Sequence, residues 1–209
     1  MLRIWGRISS INVRKVVWAA QELGLPFERI DAGLQHGVVR TAAYRALNPN
    51  ALVPTVEDGA TVLWESNVII RHLCAHHGRP GGALTYPQDL AQRFDQERWM
   101  DWQQTTLNPA GREAFIQWFR TPEAQRNPAA IAASTAATEP LLDVLDQLLA
   151  LRPWISGAHF GMADIPIGCE LHRWMGLPQP HPPRPHLDDW YARIRARPAT
   201  RGVLDLSLA

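Results

Sequence analysis

At 209 residues the chain is long enough to bury a substantial core, as one large domain or two small ones, and its net charge of +1 marks it as neither strongly basic nor strongly acidic. Lys15 is its only lysine against twenty arginines, and no arginine run occurs, which argues against a nucleic-acid surface; Cys74 and Cys169 stand far apart, giving neither a disulfide framework nor a zinc spacing. No stretch approaches the roughly 18 consecutive apolar residues of a membrane span, and MLRIWGRISS has no basic region followed by an apolar run, so the expectation is a cytoplasmic protein with small-molecule or protein partners, no nucleic acid and no membrane.

Leu2–Trp5 predicts a short apolar strand. Residues 12–23 (NVRKVVWAAQEL) predict a helix, with Val13, Val16, Val17, Ala20 and Leu23 at helical spacing and Gly24 as its stop. Phe27–Ile30 reads as a second strand, and the strand, helix, strand order implies parallel pairing through a right-handed crossover. Residues 41–47 predict a short helix.

Residues 48–66 (NPNALVPTVEDGATVLWES) carry the most information. Val53 is held extended by the proline after it, and Pro54 is a candidate for a cis bond. An extended residue at a sheet edge can offer its N–H and C=O to another extended backbone. Residues 54–64 predict a hairpin turning at Glu57, Asp58 and Gly59. Glu65 and Ser66 then stand between the strand Thr61–Trp64 and a helix over 67–76, at a helix N-terminus whose free N–H groups and positive dipole end suit a carboxylate.

Residues 77–87 (HGRPGGALTYP) form a Pro/Gly-rich break after which no strand pattern recurs. The boundaries expected from it are a domain over 1–77, a linker over 78–87 and a helical domain over 88–209. Helices are expected over 89–106, near 113–119, over 127–151 with Asn127 as cap and Pro128 at the first helical position, over 162–175 and over 187–197. The alanine-rich segment 129–137 reads as a small-residue packing face, and Pro140 predicts a kink or a break. In Phe160, Gly161 and Ile165 with Asp164 only the return half of a capping box is available, Asp164 accepting from the Gly161 N–H, with Phe160 and Ile165 at the staple positions.

These features, in this order and over nearly the whole chain, resemble the glutathione transferases of the thioredoxin-like superfamily, bacterial serine-type members of theta-like or nu-like kind. The resemblance implies an α/β plus all-α fold: an N-terminal thioredoxin-like βαβαββα domain and an all-helical C-terminal domain. It also implies glutathione as co-substrate and glutathione contacts through the main chain of Val53, shaped by Pro54, and through Glu65 and Ser66 at the γ-glutamyl carboxylate. The family often has glycine at the position of Ala51 and Ser or Thr at that of Gly161. His36 loosely matches a further family glutathione contact, against the ordinary reading of a solvated histidine.

In the turn GRISSINVRK, where thioredoxins place a Cys-x-x-Cys, there is no cysteine, so what remains is Ser9, Ser10 and Asn12 near a helix N-terminus. The resemblance implies a hydroxyl here that donates to the glutathione sulfur; Ser10 is the first choice, with Ser9 and Asn12 in reserve. The alternative is that Ser9 or Ser10 merely caps the helix. Trp99, Trp102, Thr105 and Thr106 share one predicted helical face, and 102–107 (WQQTTL) resembles a theta-like segment beside the electrophile pocket; Trp102 and Thr106 are substrate-pocket candidates against the plainer reading of a core stripe. Family dimers complete the γ-glutamyl site with an acidic side chain of the partner, a role open to Glu97 or Asp101.

His72, Cys74, His76 and His77 (HLCAHH) suggest a metal site, but no third ligand is evident in the sequence and the helix dipole explains histidines at a C-terminus, so no metal is expected. The prolines of 179–186 (QPHPPRPH) read as a rigid connector. The function expected is conjugation of the glutathione thiolate to an electrophilic small molecule by a homodimer. Its alternatives are glutathione-dependent isomerisation or disulfide reduction on the same fold, the Ser9–Ser10 pair keeping the zeta-like form open, and a non-catalytic binding or interaction protein.

Overall fold

Residues 1–208 are described here from a computed structural model of the chain. They divide into two units, one made of Met1–Tyr86 with Pro198–Leu206 and the other built on Pro87–Arg197.

In the first unit β1 (Leu2–Trp5) is followed by α1 (Ile11–Glu22), β2 (Phe27–Ile30), α2 (Ala42–Leu47), β3 (Thr55–Asp58), β4 (Thr61–Trp64) and α3 (Ser66–His77). The strands lie in the order β2-β1-β3-β4. The pair β1 and β2 is parallel, Leu2 opposite Phe27 through Trp5 opposite Ile30, while β3 runs antiparallel to both β1 and β4. This is the βαβαββα order expected, with α1 and α3 each starting one residue earlier. Pairing of β3 with β4 continues to Asp58 opposite Thr61, so the hairpin turns on Gly59 and Ala60 rather than on Glu57 to Gly59; Gly59 supplies the positive φ that two-residue turns favour.

Helix α1 is buried along nearly its whole length, Arg14 and Lys15 included, because it packs on β1 and α3 and also receives the residues 198–206. Gln21 Nε2 donates to the carbonyls of Ala199 (2.8 Å) and Arg201 (2.9 Å), and Val203 and Leu204 are buried. The expected boundaries put these residues in the helical domain, since no local pattern shows that a segment so distant returns to α1. The helix ends as Gly24 predicts: its N–H reaches Gln21 O and the Leu25 N–H reaches Ala20 O, the paired bonds of a left-handed glycine stop.

The second unit holds α4 (Leu90–Trp102), α5 (Asn108–Phe119), α6 (Pro128–Leu149), α7 (Asp164–Met175) and α8 (Pro185–Arg195). A π-helical turn, Gln103–Leu107, joins α4 to α5 without a loop, just before Pro109 removes a donor that an unbroken α-ladder would need. Asn127 caps α6 by accepting from the N–H groups of Ala129 and Ala130. The helix runs on through Pro140, so the break that this proline predicts does not occur.

Asp164 accepts from the Gly161 N–H at 2.9 Å, the expected half box, and also from Ile155 N, Ser156 N and Trp190 Nε1. It is fully buried, and burial pushes its carboxyl above the ordinary value against these four donors. The missing half of the box is supplied from elsewhere: Ser156 Oγ accepts from Ala163 N and Gln96 Oε1 from Met162 N, both at 3.2 Å. A Cβ at Gly161 would lie 2.7 Å from Ser156 Cβ and 2.8 Å from Gln96 Oε1, which is why glycine stands there.

Candidate active site

Ser10 is the N-cap residue of α1, with extended φ −82° and ψ 123°, yet its side chain makes no cap hydrogen bond. The reading that it merely caps the helix therefore has no hydrogen bond behind it. Ser9 lies in the preceding turn, closed by the Ser10 N–H to Arg7 O at 3.1 Å, and both serines are half-buried.

Asn12, the second residue of α1, is joined to α3: the Ser66 hydroxyl donates to Asn12 Oδ1 at 3.3 Å. Ser66 is 4% exposed and is the first residue of α3. The N-termini of α1 and α3 thus adjoin, and each carries roughly half a positive charge with unsatisfied N–H groups. Glu65, the N-cap of α3, is exposed and takes φ 70° and ψ 109°, a left-handed conformation rare for a residue with a Cβ.

The Val53–Pro54 bond is cis. Val53 lies beyond the first β1–β3 pair, Trp5 with Thr55, so its main-chain groups stand outside the sheet ladder. Its side chain is close to the end of β1, since a Cβ at Gly6 would fall 3.2 Å from Val53 Cβ and 2.4 Å from Val13 Cγ2. The segment carrying Val53 is braced from behind by a network that spacing did not reveal. Tyr44 Oη donates to Leu52 O at 2.7 Å and meets Thr55 Oγ1 at 2.8 Å, and Asn48 Nδ2 donates to both acceptors at 3.0 Å. Tyr44, Asn48 and Thr55 are buried, and burial raises the Tyr44 phenol. The NPN triplet was the available signal, since Asn48 Oδ1 also accepts from Asn50 N as in a local Asx turn. Ala51 sits in the same segment at φ 54°, where glycine is the unstrained residue.

The remaining candidates are His36 in the same unit and Trp102 and Thr106 in the second unit. His36 is exposed in the short turn Leu34–His36, its ring nitrogen 3.2 Å from Gln35 Nε2, and no hydrogen bond among the described residues ties it to Ser10, Val53 or Ser66. In the second unit Trp102 ends α4 with its ring edge-on to Trp99 at 5.3 Å, and Thr106 lies in the π-helical turn; both are half-buried. A groove of about 830 Å³ on that unit is lined by Trp118, Arg126, Ile131, Thr135 and Gln179, and by neither Trp102 nor Thr106. Cys74 and Cys169 form no disulfide and are buried, and burial pushes the Cys74 thiol well up, so neither is an exposed nucleophile.

The histidines that end α3 do have a third donor nearby. Asp58, the last residue of β3, accepts from His77 Nε2 at 2.7 Å and His72 Nε2 at 2.9 Å, taking their ring nitrogens as donors. Burial would raise its carboxyl, but these histidines hold it below the ordinary value. The ground on which the sequence excludes a metal, the lack of a third ligand, is absent in the folded chain, because the hairpin brings in a residue 18 positions before His76.

Residues 9–76 match the model of the glutathione S-transferase N-terminal domain and residues 128–193 that of the C-terminal domain. The chain belongs to the glutathione S-transferase family. It is 40% identical to glutathione S-transferase GstB of Escherichia coli K12 over 98% of each chain. It is also 30% identical to human glutathione S-transferase theta-1, covering 93% of this chain and 82% of that one. Among solved structures, the theta class glutathione S-transferase of Xanthomonas axonopodis pv. citri with glutathione bound matches with a TM-score of 0.94 and 45% identity, covering 100% of this chain and 99% of the other. The glutathione S-transferase fold, with its four-stranded mixed sheet and helical C-terminal part, is the one the resemblance implied.

Proposed function

We propose that this glutathione transferase joins the thiolate of glutathione to an electrophilic carbon, with Ser10 donating its hydroxyl hydrogen to the sulfur. The observation that carries the reading is the pairing of an uncommitted Ser10 hydroxyl with two adjoining helix N-termini. A free thiol with a pKa of about 8.5 is only a few per cent thiolate at neutral pH. One hydrogen bond to the charged sulfur is worth roughly 1.5–3 kcal/mol, or about one to two pKa units, enough to make most bound glutathione reactive. In the step itself the sulfur–carbon bond forms, the electron pair of the breaking bond leaves with the departing group, and no metal takes part.

In this reading glutathione lies with its cysteinyl amide along the main chain of Val53, shaped by Pro54, and with its γ-glutamyl carboxylate at Glu65, Ser66 and the α3 N-terminus. Asn12 acts through Ser66, Ser9 is held in reserve for Ser10, and His36 is kept as an outer contact. Trp102 and Thr106 are assigned to the electrophile. A homodimer is proposed with this reading: Val62 and Trp64 on the edge strand β4, with Val68 on α3, are more than a third exposed and offer apolar surface to a second copy. Glu97 and Asp101 remain the candidates to reach the partner's glutathione. No helix is long and apolar enough to cross a membrane among the described residues. Two cysteines outside any disulfide support a reducing, cytoplasmic setting.

The test is the pH titration of thiolate absorbance for glutathione bound to wild type and to Ser10→Ala. Wild type is expected to bind with a thiol pKa clearly below the free value. Ser10→Ala should bind glutathione about as tightly with the pKa restored, and turn over an activated aryl halide about one to two orders of magnitude more slowly. An unshifted pKa in wild type defeats the proposal, and wild-type turnover in Ser10→Ala moves the role to Ser9 or Asn12.

A further inference from the structure

We infer that Asp58, His76 and His77 form a binding site for a divalent first-row transition-metal ion, with His72 holding Asp58 in place. The site lies where the β3–β4 hairpin meets the last turn of α3. One donor atom from each of Asp58, His76 and His77 lies within 4.8 Å of the others. Tetrahedral coordination at zinc-like bond lengths would bring such atoms to about 3.4 Å apart. The cluster closes to that spacing by side-chain rotation, which the exposed His76 is free to make.

The present hydrogen bonding already has the outline of a ligand shell. Asp58 Oδ2 receives both His77 Nε2 and His72 Nε2, which holds the carboxylate against the last turn of α3. The rings of His72 and His76, one helical turn apart, stack at 5.4 Å, and those of His76 and His77 meet edge-on at 4.7 Å. A cation taking the place of the His77 proton would keep Asp58 and His77 together and add His76. His72 would stay on the carboxylate as an outer partner, the arrangement that fixes ligand orientation in metal sites.

The donor set selects the ion class. Two imidazoles and one carboxylate suit Zn²⁺, Co²⁺, Ni²⁺ or Cu²⁺ rather than Mg²⁺ or Ca²⁺, which take oxygen ligands. Cys74 does not join: it is buried, and the donor atoms that come together are those of Asp58, His76 and His77. Three protein ligands leave positions for water. The carbonyl end of α3 lies behind the site and favours positive charge there.

The site stands at the opposite end of α3 from Ser66, which over 12 residues is on the order of 16 Å. The ion therefore has no part in the chemistry at the sulfur; it clamps the hairpin turn to the helix that carries Ser66 at its other end.

The experiment is a titration of the untagged full chain, stripped of metal by a chelator that is then removed, with Zn²⁺ and separately with Co²⁺. One equivalent of Co²⁺ per chain is expected, with the intense visible absorption of a low-coordinate site, and Zn²⁺ is expected to displace it and raise the melting temperature. His76→Gln, at an exposed position where folding is not at stake, and His77→Gln should each weaken binding about tenfold or more and abolish the thermal shift, whereas His186→Gln, an exposed histidine on α8, should change neither. Wild type without saturable binding of one equivalent, or His76→Gln and His77→Gln binding like wild type, would overturn the inference.

Discussion

The hydroxyl of Ser66, at the head of α3, donates to the side-chain carbonyl of Asn12 near the head of α1, across 54 residues of sequence. The bond makes two helix ends, each a favourable place for an anion, into one site. Its length of 3.3 Å places it among the weaker hydrogen bonds. A double-mutant cycle of Asn12→Ala and Ser66→Ala, read as glutathione affinity, is expected to show coupling of about 0.5–1 kcal/mol. Additive effects would mean that Asn12 plays no part through Ser66.

Ser10 and Asn127 occupy the same kind of position and do different things there. Asn127 accepts from two N–H groups, while the Ser10 side chain caps nothing. Asn127→Ala is therefore expected to cost about 1 kcal/mol in urea unfolding, and Ser10→Ala less than about 0.5 kcal/mol. Equal losses would return Ser10 to a structural role.

The network of Tyr44, Asn48 and Thr55 holds the segment that carries Val53. Asn48→Ala removes donors to Leu52 O and Thr55 Oγ1 inside a buried cluster, so a loss of about 1–3 kcal/mol in stability is expected. Steady-state kinetics should show KM for glutathione raised several-fold with kcat nearly kept, because Asn48 acts through the position of Val53 in ground and transition states alike. A fall in kcat at constant KM would contradict this.

At the start of α7 the expected Ser or Thr cap has been exchanged for glycine, with Ser156 and Gln96 filling the space and supplying the acceptors. Gly161→Ser should destabilise by about 1–3 kcal/mol through overpacking. The pair Gly161→Ser with Ser156→Gly should recover part of that loss in thermal unfolding, as a cap at 161 takes over. A double variant no better than Gly161→Ser would show that the two positions do not substitute for one another.

Ala51 at φ 54° gives a smaller effect of opposite sign. Ala51→Gly is expected to stabilise by a few tenths to about 1 kcal/mol, measured by chemical denaturation, since relief of the left-handed strain outweighs the added chain entropy. A loss of stability would mean that the Cβ of Ala51 contributes packing.

Local signals carried most of the fold. The apolar spacing of Val13, Val16, Val17 and Ala20 with Gly24 after them defined α1, and Thr61–Trp64 with Glu65 and Ser66 after it marked the junction of β4 and α3. Effects decided by residues distant in sequence were hidden: the return of 198–206 to α1, the bond from Ser66 to Asn12, and Asp58 beside His77. Of the two outcomes expected at Pro140, a kink or a break, the break is absent for a related reason. A proline removes one donor from a helix, and α6, fixed along its buried side by Thr138, Leu142 and Leu145, tolerates that loss. Gly161 looked like a weakened cap because its replacements, Ser156 and Gln96, lie in other segments.

The two cysteines, each 1% exposed, have a practical consequence. A disulfide dye added to the native protein finds no accessible sulfur of the protein's own, so colour developed in the presence of glutathione comes from the tripeptide alone. The amplitude of the delayed part of that colour then counts how many glutathione molecules each chain shields.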